Sequence, residues 1–313
     1  MDWTHRLRLR NLEMLLSLAE TGNMSLSATM LNTTQPGLSK WLKDLEDEIG
    51  LPLFERQARG LRPTSCGEAL IGHARRLQAQ LDAARDDLQV IREGGSGLVV
   101  VGTSGAAAAD TVPMALMELL RQRPATQARV IETTMDSLMA QLSRSELDIV
   151  VGRSAPELQK DSVVRSESLF MESIHFVARS GHPLFAIDQP SWSDMLRYRW
   201  VVWPKGTPIR NALESALEAE GISIPVESVH TNSAVVSLTL LSQSDMVGLF
   251  SHRTANRLEA LGSLRMIPFR LPGFGSVSMY WRADTEDRIA VTAMLECLRR
   301  AAGARIEDGE HEL

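Results

Sequence analysis

Three groups of residues in this chain have side chains and spacing suited to chemistry. Ser39, Lys40 and Lys43, with Gln35 ahead of them, supply donors and cations on one side of a segment whose other side is Leu38, Trp41, Leu42, Leu45 and Ile49. Arg56, Arg59 and Arg62 follow in the basic run Glu55–Arg62, broken by Gly60, which suits a phosphate backbone or an ordinary solvated loop equally well on charge alone. Gly102-Thr103-Ser104-Gly105 stands between an apolar run and an alanine-rich one. Backbone N–H groups and two hydroxyls at a helix start there can receive a carboxylate or another polar ligand, or do no more than cap the helix. The run lacks both the G-x-G-x-x-G spacing and a terminal G-K-[ST], so it does not read as a nucleotide site.

Patterns for catalysis and metal binding are missing. Ser104 lies in G-T-S-G instead of a nucleophile elbow, no H-E-x-x-H occurs, and the carboxylate pairs Asp44/Glu48 and Asp86/Asp87 fall on polar helix faces. Cys66 and Cys297 are far apart and have no C-x-x-C partner, which speaks against a disulfide framework or a zinc module. No catalytic residue, metal ligand or cofactor is expected.

The elements that must carry these residues are legible from periodicity. Leu12, Leu15, Leu16 and Ala19 mark a first helix ended by Thr21-Gly22-Asn23; Met24, Ala28 and Leu31 mark a shorter second one. Asn32-Thr33-Thr34 then supplies a turn and an N-cap, and Pro36 sits in the first turn of a third helix starting near Gln35 and stopped by Gly50. Two helices, a short turn and a polar-faced helix give the helix-turn-helix outline, and a basic hairpin directly behind it reads as a wing. Leu70, Ala74, Leu77, Leu81, Ala84, Leu88 and Ile91 alternate four and three apart, a heptad seam that needs cover from a partner chain or from the protein's own core.

Gly94-Gly95-Ser96-Gly97 forms a joint, after which Leu98–Val101 opens a different pattern. Strands Ala128–Glu132, Leu147–Val151, Ile174–Ala178, Trp200–Trp203 and Met246–Phe250 alternate with helices Pro113–Arg123, Asp136–Ser143, Arg210–Glu220 and Ala234–Ser242. This predicts parallel sheets flanked by helices, and enough chain for two lobes. The acidic end from Arg305 reads as a disordered tail.

A net charge of −6 looks wrong for a nucleic-acid binder, but residues 1–62 are balanced, with their cations clustered at both ends and four acids crowded into Asp44–Glu48. MDWTHRLRLR is charged and runs into an amphipathic segment, so secretion is not expected. No apolar run approaches the ~18 residues of a membrane span, and a cytoplasmic location is expected.

Read continuously, Leu12-x-x-Leu15-x-x-Leu18-Ala19-x-x-Gly22, Ser27-Ala28-x-x-Leu31, Thr34-Gln35-Pro36-Gly37-Leu38-Ser39-Lys40, Leu45-Glu46-x-x-Ile49-Gly50-x-x-Leu53-Phe54-x-Arg56 and Pro63-Thr64-x-Cys66-Gly67 closely resemble the signature of LysR-type transcriptional regulators. Further on, Leu142-x-x-Ser145-Glu146-Leu147-Asp148-Ile149 and Val177-Ala178-x-x-x-His182-Pro183-Leu184 resemble the family's sensor more loosely. Asn23, Met24, Pro63, Cys66, Asp245 and Phe250 depart from the family's usual residues.

The resemblance implies an all-α winged helix-turn-helix over 1–66 and a dimerising linker helix over 67–93. An α/β two-lobed sensor of periplasmic-binding-protein type then fills 97–313, with lobe 1 at about 97–165 and 266–304 and lobe 2 at about 166–265. It implies Gln35, Pro36, Ser39, Lys40 and Lys43 in the major groove of double-stranded DNA, and Thr33, Thr34, Arg56, Arg59 and Arg62 on the backbone and minor groove. Thr34 as a simple cap and Pro36 as a simple helix starter remain alternatives. A small-molecule effector, an organic acid or sugar-derived metabolite, would lie between the lobes near Thr103, Ser104, Thr134, Met135, Lys205, Thr207, Thr231, Asn232, Phe250 and Ser251. Each of these taken singly also fits ordinary loop or cap chemistry. Other implied partners are copies of the same chain, as homodimer and homotetramer, and RNA polymerase. The rival readings are a two-lobed solute-binding protein with an unrelated helical extension, disfavoured by the charged N-terminus, and an α/β dehydrogenase using Val101–Ala106. Neither accounts for the heptads or the arginine-rich hairpin.

Overall fold

The computed structural model describes residues 3–57, 60–92, 97–154, 163–224, 228–269 and 275–303, with residues 95 and 271 between them. Arg59, Gly94, Ser96 and the acidic end 305–313 lie outside the described residues. The chain divides into a helical unit, which runs to Arg92 and takes in Ser143–Glu146, and an α/β unit made of the rest.

In the helical unit, a 3-10 turn over Trp3–Arg6 precedes α1 (Leu9–Thr21), whose Leu12, Leu15, Leu16 and Leu18 are buried. Gly22 ends α1 in the left-handed conformation (φ 57°), its N–H donating to the Leu18 carbonyl. Asn23 then caps α2 (Met24–Met30) by accepting from Ser25 N at 2.9 Å and Leu26 N at 3.0 Å. Thr34 caps α3 (Gln35–Ile49), and left-handed Gly50 stops it. Behind it, β1 (Phe54–Gln57) and β2 (Gly60–Pro63) form an antiparallel hairpin that leads into α4 (Ser65–Arg92). At 28 residues α4 is about 42 Å long. Leu15, Leu38, Leu42, Leu53, Ile71 and Ala74 belong to one core that ties α1, α3, β1 and the start of α4 together.

The α/β unit runs β3 (Leu98–Thr103), α5 (Ala106–Ala109), α6 (Thr111–Gln122), β4 (Gln127–Glu132), α7 (Met135–Ser143), β5 (Ile149–Arg153) and β6 (Val164–Glu172). It continues with β7 (Ile174–Ala178), α8 (Trp192–Met195), β8 (Trp200–Val202), α9 (Pro208–Ala219), β9 (Val229–His230), α10 (Ala234–Gln243), β10 (Val247–Ser251) and α11 (His252–Ala260). Last come β11 (Arg265–Met266), β12 (Gly275–Arg282) and α12 (Ile289–Gly303). Two five-stranded sheets result, ordered β4-β3-β5-β12-β6 and β11-β7-β10-β8-β9, one in each lobe.

Both sheets are mixed, where helix-strand alternation predicted parallel ones. β3, β4 and β5 are parallel, as are β8, β9 and β10, but β12 runs antiparallel to β5 and β6, and β7 runs antiparallel to β10 and β11. The antiparallel strands are those next to the crossings between lobes, where the chain must reverse. The crossings also lie later than the expected boundaries at 165 and 265. β6 pairs with β12 from Val164↔Arg282 to Glu172↔Gly275, so the chain cannot leave lobe 1 before Ser173. On the return, β11 pairs with β7, Ile267 N donates to Phe176 O, and Phe269 packs on the ring of Phe176, which keeps the chain in lobe 2 past 266. Among the described residues no helix is long and apolar enough to cross a membrane.

Candidate functional site

In the helical unit the polar residues singled out in the sequence gather on one surface. Leu38, Leu42 and Leu45 point into the core, which turns Gln35, Pro36, Lys40 and Lys43 outward, with Ser39 half-buried beside them. Thr34 caps the helix: its hydroxyl accepts from Gly37 N at 3.2 Å. Thr33, half-buried, lies in the turn before it. Arg56 and Arg62 are exposed on the hairpin; Arg59 falls outside the described residues.

Two contacts fix the hairpin against the helices. Glu46, on α3, accepts from Leu53 N at 2.7 Å and Phe54 N at 3.0 Å with a single carboxylate oxygen. Leu61 N donates to the Gly22 carbonyl at 2.7 Å, and the same carbonyl leaves no room for a side chain at Gly60, whose φ is +126°. A cation-bearing hairpin is thus fastened to the C-terminal part of α3 and to the end of α1.

The heptad seam divides in two. Leu70 is half-buried and Ala74 fully buried in the helical unit's own core. Beyond them Leu77 (46% exposed), Leu81 (46%), Leu88 (67%) and Ile91 (59%) stand open, as does Ala84.

In the α/β unit, parallel β3, β4 and β5 end on one edge of their sheet, bringing Thr103, Ser104, Thr134 and Met135 to that edge; β8, β9 and β10 do the same for Lys205, Thr207, Thr231, Asn232, Phe250 and Ser251. Ser104 and Met135 converge over Gly152, where a side chain would overlap both. Thr103 points to the opposite face and is buried, its hydroxyl without a partner among the described residues. Thr134 is exposed and its carbonyl accepts from Leu138 N at the start of α7.

In lobe 2 several residues already have local partners. The Thr207 hydroxyl donates to the Pro204 carbonyl at 2.8 Å, and the Thr231 hydroxyl accepts from Ser233 N at 3.0 Å. Ser251 caps α11, and Phe250 is buried edge-on to Trp203 at 6.4 Å. Asn232 is exposed. Lys205, also exposed, lines a groove of about 460 Å³ with Arg210, Glu214 and Leu217 of α9.

Sequence patterns missed a charged corner where the lobes join. Arg253, at the start of α11, donates to Asp110 Oδ2 at 3.2 Å and to the Ala302 carbonyl at 3.3 Å, and its guanidinium lies 3.7 Å from the centre of the Phe170 ring. Its backbone N–H donates to Glu172 Oε1 at 3.2 Å. Arg153, at the end of β5, lies close by. Burial lowers the Arg153 pKa and raises that of Glu172.

Beside this corner, His252 Nδ1 meets His175 Nε2 at 3.1 Å, and Ser173 Oγ is also 3.1 Å from His175 Nε2. Burial, reinforced by the His252 imidazole, pulls the His175 pKa from 6.5 down to about 4. The unfolded chain therefore binds this proton at a higher pH than the folded one. Stability contributed by neutral His175 is complete above pH 6.5 and is lost as pH falls toward 4. Thermal melts between these limits should show a slope that His175→Asn flattens; identical slopes would contradict the assignment.

Comparisons with known proteins agree with this division. The model described as "Bacterial regulatory helix-turn-helix protein, lysR family" matches residues 9–68, and "LysR substrate binding domain" matches residues 92–303. The HTH-type transcriptional regulator GbpR of Azospirillum brasilense is 30% identical over 303 residues, 96% of this chain and 88% of the relative. Among solved structures, full-length OxyR from Pseudomonas aeruginosa has a TM-score of 0.60 at 22% identity, covering 95% of this chain and 94% of its own. CbnR complexed with its target DNA has a TM-score of 0.61 at 19% identity, covering 94% and 100%. With a family helix-turn-helix on one unit and a family sensor on the other, this chain belongs to the LysR family of DNA-binding transcriptional regulators and carries an effector-binding domain.

Proposed function

We propose that two copies pair along the open part of the α4 seam, from Leu77 to Ile91, and together set two α3 ends into the major groove of one operator. Gln35 is the principal base reader, able to pair bidentately with adenine, while Lys40 and Lys43 take guanine or phosphate and Ser39 and Pro36 shape the contact. Thr33, Thr34, Arg56 and Arg62 grip the backbone, and Arg59 continues the same basic stretch. An organic acid or sugar-derived metabolite held between the lobes alters how the paired α3 helices sit on the promoter. Two such dimers make the homotetramer. The observation that carries the reading is the exposed polar face of α3 from Gln35 to Lys43, on the same helix whose Glu46 anchors the cationic hairpin.

Fluorescence anisotropy with operator and scrambled duplexes tests it. Gln35→Ala is expected to cost about 1–3 kcal/mol of discrimination between them. Arg56→Ala is expected to weaken both about equally and to lower the salt slope by roughly one ion. Unaltered binding by both variants would sink this mapping.

A further inference from the structure

We infer that Arg153 and Glu172 anchor the effector, and that the ligand they take carries an anionic group next to a hydrogen-bond donor, as an α-hydroxy or α-amino acid does. This rests on the effector reading proposed above and names its chemistry. The two side chains come from strands that flank β12: Arg153 pairs with Val277 and Glu172 with Gly275. A side chain at Gly275 would overlap the Arg153 guanidinium, so the glycine is what lets that group lie along the sheet's end toward Glu172.

Yet no hydrogen bond or ion pair joins them. Among the described residues Arg153 has no acceptor, and Glu172, only 2% exposed, uses Oε1 for Arg253 N–H while its Oε2 is buried without a donor. The other charges in the corner are already matched, since Asp110 holds Arg253. The two groups attract each other through space, but the guanidinium and one carboxylate oxygen are left without hydrogen-bond partners where the lobes meet. Such groups cost stability when unpaired, and a desolvated site makes a charge placed there count for more than the same charge in water. A ligand carboxylate can take two parallel N–H bonds from Arg153. A hydroxyl or ammonium on the adjacent carbon would then donate to Glu172 Oε2. Lys205, by contrast, is exposed, where an ion pair contributes little.

Calorimetry of the full-length protein tests this. Glycolate, L-lactate, D-glycerate and the α-amino acids serve as probes, with acetate and propionate as their deoxy counterparts. At least one probe should bind roughly tenfold or more above its counterpart. Arg153→Gln should weaken that binding by about thirtyfold or more, Arg153→Lys should restore part of it, and Lys205→Gln should change it less than about threefold. Binding by none of the probes, or binding indifferent to Arg153→Gln, overturns the inference. Operator affinity measured on the same wild-type sample separates the two failures: if it is present, only the effector chemistry falls, and if it is absent, the regulator reading falls as well.

Discussion

Replacing Leu81 and Leu88 together with glutamate is expected to give a folded monomer whose operator affinity drops by more than about a hundredfold. Both leucines are open in the single chain, so their loss should leave its melting behaviour nearly intact. In a pair they would be covered. Burying a leucine side chain contributes about 1.5–3 kcal/mol, so four of them across a two-fold seam contribute roughly 6–12 kcal/mol, before counting the repulsion among the carboxylates that replace them. Each half-site would then have to hold its own helical unit without the effective concentration supplied by the partner. Sedimentation velocity and anisotropy on one sample check both halves of the expectation; a variant that still sediments as a dimer would show that the seam is not where the copies meet.

Gly67→Ala should be the most disruptive single methyl in the helical unit. A Cβ at this position would overlap the carbonyl oxygen of Leu53, and that oxygen cannot move aside freely. It accepts from Thr64 N at 2.9 Å and from the Thr64 hydroxyl at 3.3 Å, while Leu53 N is held by Glu46. Relieving the overlap means lifting β1 from the start of α4 or giving up those bonds, a loss of about 3 kcal/mol or more. Denaturant unfolding followed by a signal from each unit should show the helical unit's transition shifted to lower denaturant, with operator binding lost, while the α/β unit melts as before. A variant with unchanged midpoints would mean that the contact between α4 and the hairpin is looser than the geometry indicates.

What sequence could and could not reveal follows from the range of the forces involved. Caps are local chemistry, so Asn23, Thr34 and Gly50 announced the helix ends that the structure has. The hairpin followed from Gly60 within a basic stretch directly behind the third helix. Periodicity shows that a stripe is apolar but not what covers it, which is why Leu70 and Ala74 read as continuous with Leu81 although the first two pack within their own unit. The strand Val164–Glu172 mixes charged and apolar residues and has a register shift against β12 at Val277/Ser278. Its period is blurred, so the sequence did not show that the strand runs on to Glu172 beside β12. Phe250 and Ser251 were expected at the cleft from the family resemblance; Phe250 packs edge-on to Trp203, and Ser251 caps α11. Arg153 and Glu172 left no pattern at all, since a lone arginine and a lone glutamate acquire meaning only when folding strips them of water in the same corner.

The single carboxylate oxygen of Glu46 that holds both Leu53 N and Phe54 N makes the hairpin and α3 one rigid body. Residues on the outer face of α3 take no part in that clamp, so they can be exchanged without disturbing it. Altering Gln35, Ser39 and Lys43 alone should therefore retarget the protein to a new operator while its grip on the sugar-phosphate rails, and its geometry as a pair, carry over unchanged.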